Sequence, residues 1–512
     1  MSSTPAEGRA SGRDEGSPPL SEPLEVTGPA TAEPSLPVYF GLRSFALSAG
    51  ILSLSTTSNF IRAVITAKLL AITLGPSMTG VLAQILNFSA FLFQIIPLGL
   101  TTGVAKLVAE APKDRARVGA VAGTSSFLAF GSALACLVVM APFSGQISQV
   151  LTGSTRYSIP VLLILLSLPL YNVAGVLSYV LQGLADIRRL TIANVATAAG
   201  SLIVLIPATV AFGLVGATAS VAVASIIQFA FFAFELWRAY GERRWTLSAI
   251  HVERATARAL LQYGGILLVA GVGAWGSLLL VRTIGIHVLG ELQNGIYQVV
   301  NGVSGQYMAV FIAWMAAYVF PRIVAEKDPR HAQTMLNSAL RANLLLMGSG
   351  MVVLVALREF FIRVLYSSAF LAAAPILPIQ VLGDYARVIG WSFGICLFAY
   401  GRTRAYLVAM LAQDVLWMLI SPVGMRTFGV AAIAMGYSLS SLAWPLLMYP
   451  MVRRWYGVRI DRHGALLCVV GLAAILGAII WPGLIGFLFV LALPMTVYLL
   501  KARGPHPLQA HS

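Results

Sequence analysis

After residue 37 the chain alternates long apolar runs with short polar connections, and every second connection is basic. Runs of about 17 to 30 apolar residues match a helix that crosses a hydrocarbon layer about 30 Å thick. About fourteen such runs predict membrane-spanning helices, near 44–74, 78–109, 118–142, 157–181, 190–212, 214–236, 259–286, 291–320, 333–357, 370–399, 405–424, 428–451, 464–482 and 484–500. Strands of a membrane barrel would alternate polarity over about ten residues, whereas these runs are longer and unbroken. The expected fold class is therefore all-α, a polytopic membrane protein.

The pattern repeats. Gly75-Pro-Ser-Met-Thr-Gly80 opens the second run and Gly290-Glu-Leu-Gln-Asn-Gly295 the eighth, and both runs close on Val-Ala-Glu, at Val108–Glu110 and Val324–Glu326. Six spans separate the copies, an even number, so both halves enter the membrane in the same sense and their pseudo-two-fold axis runs along the membrane normal. The expected organisation is a disordered tail at 1–37, an N-lobe of spans 1–6 at 38–240, and a linker at 241–258. A C-lobe of spans 7–12 at 259–457, a hydrophobic hairpin at 458–503 and a tail at 504–512 complete it. The first 37 residues, rich in Pro, Ser, Gly and Glu, carry no apolar run able to order them and no signal-peptide pattern, so the first helix is expected to direct insertion.

Composition agrees: 58% of the 512 residues are hydrophobic, 10% are charged, and the mean hydropathy is +0.83. Soluble domains carry roughly a quarter charged residues. The net charge of +15 is an orientation signal and implies no nucleic acid, because the cations concentrate on one side. Only Arg156, Arg282, Arg358, Arg363 and Arg426 fall on the other, which by the positive-inside rule places both termini in the cytoplasm. The three cysteines, Cys136, Cys396 and Cys468, lie in spans without metal-ligand spacing and are expected to pack the core.

Candidate chemistry lies in the polar residues within spans, where a charge at the bilayer centre costs roughly 2.5 to 3.5 kcal/mol on insertion scales. Ser48, Ser55, Asn59, Arg62, Thr66 and Thr73 share one face of the first helix, with Arg62 at mid-depth. Lys68 and Arg282 lie nearer the outer ends, Asp384 and Arg387 sit three apart in the tenth span, and Asp414 is central in the eleventh. One reading lines a central passage with Asn59, Arg62, Lys68, Arg282 and Arg387 for an anionic cargo, and gives ion coupling to Asp384 and Asp414. The competing readings are an intrahelical Asp384–Arg387 pair, snorkelling of Lys68 and Arg282, and interhelical hydrogen bonding by the Gln and Asn residues of spans 2 and 8. No nucleotide-binding or hydrolytic motif occurs and no loop exceeds about 25 residues, so no cofactor, metal or ATP-driven step is expected.

The runs Arg358-Glu-Phe-Phe-Ile-Arg-Val-Leu-Tyr-Ser-Ser-Ala-Phe370, Gln380-Val-Leu-Gly-Asp384-Tyr-Ala-Arg387 and Ala399-Tyr-Gly-Arg402-Thr-Arg404 resemble the Wzx-type translocases of O-antigen and enterobacterial common antigen. Those belong to the multidrug/oligosaccharidyl-lipid/polysaccharide exporter superfamily. Lys68-Leu-Leu and Leu74-Gly-Pro-Ser-Met-Thr-Gly80 fit the same pattern, and the likeness covers about residues 40–455. It implies two six-helix lobes that alternate access in the bacterial inner membrane. Their cargo would be an undecaprenyl-pyrophosphate-linked oligosaccharide, moved from the cytoplasmic to the periplasmic leaflet, with a glycan polymerase and a chain-length regulator as possible partners. Asp384 and Arg387 fall on an Asp and a basic position of the family motif. The Pro-rich tail and the hydrophobic pair after residue 463 depart from that pattern. The alternatives are a cation-coupled multidrug exporter, which would favour an acidic or aromatic cavity, and a multispan polymerase or glycosyltransferase, which would need a large extramembrane loop.

Overall fold

A computed structural model of the chain describes residues 42–97, 100–240, 253–325 and 329–481. The expected tail at 1–37 and the last expected span, near 484–500, lie outside them. Of two compact units, Met1–Leu47 and Ser48–Ser512, the first enters the described residues only as the opening turns of a helix.

The described residues are helical throughout, with no strand. The helices are α1 (Leu42–Ile95), α2 (Leu100–Glu110), α3 (Arg115–Met140), α4 (Ser144–Thr152), α5 (Ser158–Gly183), α6 (Ile187–Tyr240), α7 (Arg254–Leu289) and α8 (Glu291–Trp314). A π turn at Met315–Val319 leads into α9 (Phe320–Ala325), α10 (Pro329–Ala356), α11 (Arg358–Leu365), α12 (Leu377–Ala399), α13 (Thr403–Phe428), α14 (Ala431–Ser441), α15 (Ala443–Tyr456) and α16 (Arg462–Ile480). Eleven stretches among the described residues are long and apolar enough to cross a membrane. Val423, Ile203 and Phe212 stand out from the bundle largely uncovered, as side chains facing hydrocarbon do.

Two of those stretches, Thr57–Ile95 and Ile187–Ala239, run to 39 and 53 residues, about 60 and 80 Å at 1.5 Å per residue, or about two and nearly three times the bilayer core. Each turns back at a glycine, Gly75 (φ +67°) or Gly213 (φ +56°), where a side chain would be strained. The legs of α1 and α6 thus correspond to the expected pairs 44–74 with 78–109 and 190–212 with 214–236. The same device recurs at Gly290 (φ +87°), between α7 and α8, and at Gly429 (φ +58°), between α13 and α14. Gly75 and Gly290 are 215 residues apart, Gly213 and Gly429 216, so a second pair of matched bends accompanies the one legible in the sequence.

Three expected spans differ in detail. The second ends at Ile95 ahead of Pro97, and α2 forms separately. The tenth begins at Leu377, because 358–373 form the short amphipathic α11 and a 3-10 turn at Ser368–Ala373. The twelfth is split into α14 and α15 at Leu442. Leu260, near the start of α7, is buried with Val104, Val108 and Val118 of the first half, so α7 begins against one half before running along the other.

Small residues set the close approaches, as they do between helices in hydrocarbon. Gly383, Gly390 and Gly394 lie on one face of α12, and a Cβ at Gly390 would sit 2.5 Å from Trp444 Cβ and 2.8 Å from the Pro445 nitrogen. On the far side, α16 is fastened to the bundle. Asp461 caps it by accepting from Gly464 N at 2.7 Å and pairs with Arg341 at 3.3 Å, and Tyr385 Oη donates to the Leu467 and Cys468 carbonyls at 3.2 and 3.0 Å. Tyr385→Phe is expected to loosen α16 by about 1 kcal/mol, read as faster amide exchange over 462–480 with insertion unchanged.

Candidate functional site

α12 carries a buried polar cluster. Asp384 is 0% exposed and its carboxylate accepts from Ser304 Oγ at 2.6 Å, from Tyr437 Oη at 2.5 Å, and from the Tyr307 hydroxyl. α8, α12 and α14 therefore meet on one buried charge, satisfied by three hydroxyls as burial of a carboxylate demands. Arg387, one turn on, donates through one terminal nitrogen to Tyr437 Oη at 2.7 Å. Asp384 and Arg387 thus make no direct intrahelical pair: the tyrosine hydroxyl accepts from the guanidinium and donates to the carboxylate.

The Arg387 guanidinium carbon lies 5.2 Å from the Trp391 ring, 5.6 Å from Tyr437 and 5.9 Å from Trp444, which stabilises a cation by its contact with aromatic faces. Trp444 is itself held by Nε1 donating to Gln413 Oε1 at 2.7 Å. Two donors stay without an acceptor: Arg387 Nε and Trp391 Nε1 are both buried and unpartnered. On α13, Asp414 accepts from Ser277 Oγ of α7 at 3.4 Å, and its second oxygen is buried without a partner. Asp384 and Asp414 both lie within electrostatic reach of Arg387. Unpaired donors beside an arginine, with an unpaired carboxylate oxygen nearby, are the groups from which anion and cation binding are built.

Arg282 is elsewhere and fully engaged. It does not snorkel: it is 0% exposed, and it donates to Asn294 Oδ1 at 3.0 Å, the Asn294 carbonyl at 3.2 Å and Gln298 Oε1 at 2.5 Å. Asn294 Nδ2 in turn donates to the Gly80 carbonyl at 2.9 Å. There the second leg of α1 meets α8 backbone to backbone, since a Cβ on Gly80 would lie 2.5 Å from the Glu291 carbonyl and 2.6 Å from the Gly295 nitrogen. Gly80 and Gly295 are equivalent positions of the repeat, and like positions that touch lie on the axis relating the copies. The same end of the bundle is held by Gln84 Nε2 donating to Thr283 Oγ1 at 2.7 Å, Tyr157 Oη to Glu291 Oε1 at 2.8 Å, and His287 against the Val150 carbonyl at 2.8 Å. Gln84 and Gln298 accordingly serve as interhelical bonds, the alternative the sequence left open.

Lys68 donates to the Arg363 carbonyl at 2.8 Å, satisfying one of the orphan carbonyls that end α11. Arg62 is half-buried on the first leg of α1, within electrostatic reach of Tyr171, and Asn59, a turn earlier, is exposed. Of the seven candidates, then, the structure brings together Asp384, Arg387 and Asp414. It holds Arg282 in the backbone clasp, ties Lys68 to α11, and leaves Arg62 and Asn59 on the other half. Sequence reasoning missed Ser304, Tyr307, Tyr437, Trp391 and Trp444. The polar run Gly436-Tyr-Ser-Leu-Ser-Ser441 inside an apolar helix was the available signal. No group of metal-ligating side chains occurs among the described residues.

The fold is shared with solved transporters. An inward-facing multidrug resistance MATE family transporter of the MOP superfamily superposes with a TM-score of 0.66 at 15% identity, over 80% of this chain and 98% of that one. The lipid II flippase MurJ in its inward closed conformation gives 0.62 at 15% identity, over 90% and 100%. In sequence, a protein of Escherichia coli (strain K12) named lipid III flippase is 23% identical over 390 residues, 74% of this chain and 91% of that one. The profile of the family described as polysaccharide biosynthesis protein matches residues 46–325. That match takes in more than half of the sequence, and the chain belongs to the polysaccharide biosynthesis protein family.

Proposed function

We propose that the protein is a flippase that moves an undecaprenyl-pyrophosphate-linked oligosaccharide from the cytoplasmic to the periplasmic leaflet by alternating access of two lobes, 38–240 and 259–457. The chain's likeness to a lipid III flippase and the fold it shares with a lipid II flippase support this. One observation of the site carries it: a guanidinium inside a membrane-spanning helix, stacked among aromatic rings, with its Nε free. A pyrophosphate crossing hydrocarbon needs such donors, because a bare charge there is costly and charge-assisted hydrogen bonds offset the lost hydration. The lipid chain stays in hydrocarbon while the headgroup passes between the lobes. Arg62 extends the cationic lining on the other half, and the clasp around Gly80, Gly295 and Arg282 is the periplasmic closure that opens for release. The setting is the inner membrane with cytoplasmic termini, in O-antigen or related polysaccharide assembly beside a polymerase and a chain-length regulator.

Coupling belongs to Asp384 and Asp414. Each faces Arg387 and, when ionised, offsets its charge; a proton or cation on either leaves the guanidinium free for the headgroup. Headgroup binding therefore strengthens as pH falls. Asp414→Asn is expected to bind the headgroup more tightly at high pH and to lose the share of the pH dependence that Asp414 carries, measured by titrating binding to the purified protein across pH 5–9; an unaltered profile removes Asp414 from coupling. The function itself is tested in proteoliposomes carrying a fluorescent lipid-linked oligosaccharide and an impermeant quencher. Protein-dependent flipping is expected, without export of a fluorescent organic cation. The reverse result would identify a drug exporter.

A further inference from the structure

An apolar groove of about 450 Å³, within the range of small-molecule sites, opens beside the Arg387 cluster. Ile312 of α8, Ala316 of the π turn, Trp391, Ile395 and Phe398 of α12 and Tyr406 of α13 line it. It follows α12 from Trp391 to Phe398, seven residues or about 10 Å, most of the depth of one leaflet. Ile312 and Phe398 are exposed, so the groove is open to its surroundings, and the π turn that forms one wall is a helical irregularity typical of functional sites.

Its two ends differ. At the inner end Trp391 stands under Arg387, where the two unpartnered donors are. At the mouth, Phe320 and Thr403 are followed and flanked by the exposed cations Arg322, Arg402 and Arg404. Arg322 lies 3.5 Å over the Tyr318 ring and Arg402 5.0 Å over Trp455, the pairing of cations and aromatics that marks a membrane interface. Phe320, Phe398 and Tyr406 form a run of rings between mouth and interior, with centroids 5.6 and 5.9 Å apart.

We propose that this groove is the loading site for the lipid-linked cargo: the first isoprenoid units lie along Phe398, Ile395 and Trp391, and the pyrophosphate rests at the Arg322, Arg402 and Arg404 rim. The assignment rests on the flippase reading and names where its substrate enters. An amphiphile in the cytoplasmic leaflet has its anionic head at the interface and its chain toward the midplane, the polarity that the groove and its rim display. From there the headgroup travels one groove length to reach Arg387, while the chain never leaves apolar surroundings.

The test uses the full chain in nanodiscs. A polyprenyl pyrophosphate with a photoreactive group on its first isoprene unit is expected to label α12 or the π turn between Met315 and Phe398. Ala316→Trp, which fills the groove from an exposed position, is expected to weaken binding of that probe about tenfold or more while leaving binding of a chain-less pyrophosphoryl oligosaccharide unchanged. Labelling confined to other helices, unaltered probe affinity in Ala316→Trp, or equal labelling by a photoreactive phosphatidylglycerol would overturn the assignment. The flippase reading fails separately, when Arg387→Ala leaves binding of the chain-less probe intact.

Discussion

Replacing Gly80 by valine is expected to stop the clasp from closing and to abolish transport. The new Cβ would lie 2.5 and 2.6 Å from backbone atoms of Glu291 and Gly295. Neither can rotate aside, so the second leg of α1 and α8 must separate. Separation also removes the Asn294 bond to the Gly80 carbonyl and unsettles the partners of a fully buried Arg282. Overpacking costs about 1–3 kcal/mol and a disturbed buried charged network a similar amount, so the closed state should lose about 3 kcal/mol or more, over a hundredfold in population. Spin labels on Val150→Cys and Leu292→Cys, exposed positions on the two sides of the clasp, should move apart in Gly80→Val. Gly119→Val is the control, because nothing lies within 4 Å of its Cβ position. An unchanged label distance together with normal transport would show that the Gly80 contact is incidental.

Arg387→Ala is expected to lower flipping by about ten- to a hundredfold, the loss of a charge-assisted hydrogen bond at roughly 1.5–3 kcal/mol. It also leaves Asp384 and Asp414 facing the site with no cation between them, which repels a pyrophosphate. Arg387→Lys should recover only part of the rate, since an ammonium keeps the charge but loses the planar fork that stacks on Trp391 and Trp444 and presents Nε. Tyr437→Phe keeps every charge and removes only the hydroxyl between Arg387 and Asp384, so flipping should persist with an altered pH profile. Initial rates at matched protein density in proteoliposomes decide the series. Equal rates for Arg387→Ala and the parent would end the headgroup role of this side chain.

The helical class, the repeat and the burial of Asp384 and Arg387 within a span were legible because each leaves a one-dimensional trace: apolar length, a recurring Gly-centred hexapeptide, a charge where hydrocarbon should be. The relation between Asp384 and Arg387 was not. Spacing of three makes an ion pair the simplest reading, and the hydroxyl that intervenes comes from Tyr437, 50 residues on. Arg282 illustrates the converse. Its place near a helix end suggested snorkelling, yet Asn294 and Gln298, across the Gly290 bend, fold back to enclose it. The second matched bend, Gly213 with Gly429, escaped notice because the sequence shared around it is only Phe-Gly followed by an aliphatic residue, Phe212-Gly-Leu214 and Phe428-Gly-Val430, too short to stand out in an apolar chain. The start of the tenth span was misplaced because Phe370-Leu-Ala-Ala-Ala-Pro-Ile376 is as apolar as the helix it leads into, and composition does not separate the 3-10 turn at Ser368–Ala373 from α12.

Asp384 and Tyr385 are neighbours on α12 whose side chains diverge by about 100°, one into the polar cluster and the other onto the carbonyls of Leu467 and Cys468. Any tilt of α12 during a transport cycle therefore pulls on α16 through a rigid phenol ring. A reporter attached to the surface of α16 is therefore expected to follow such a tilt without touching the polar cluster itself.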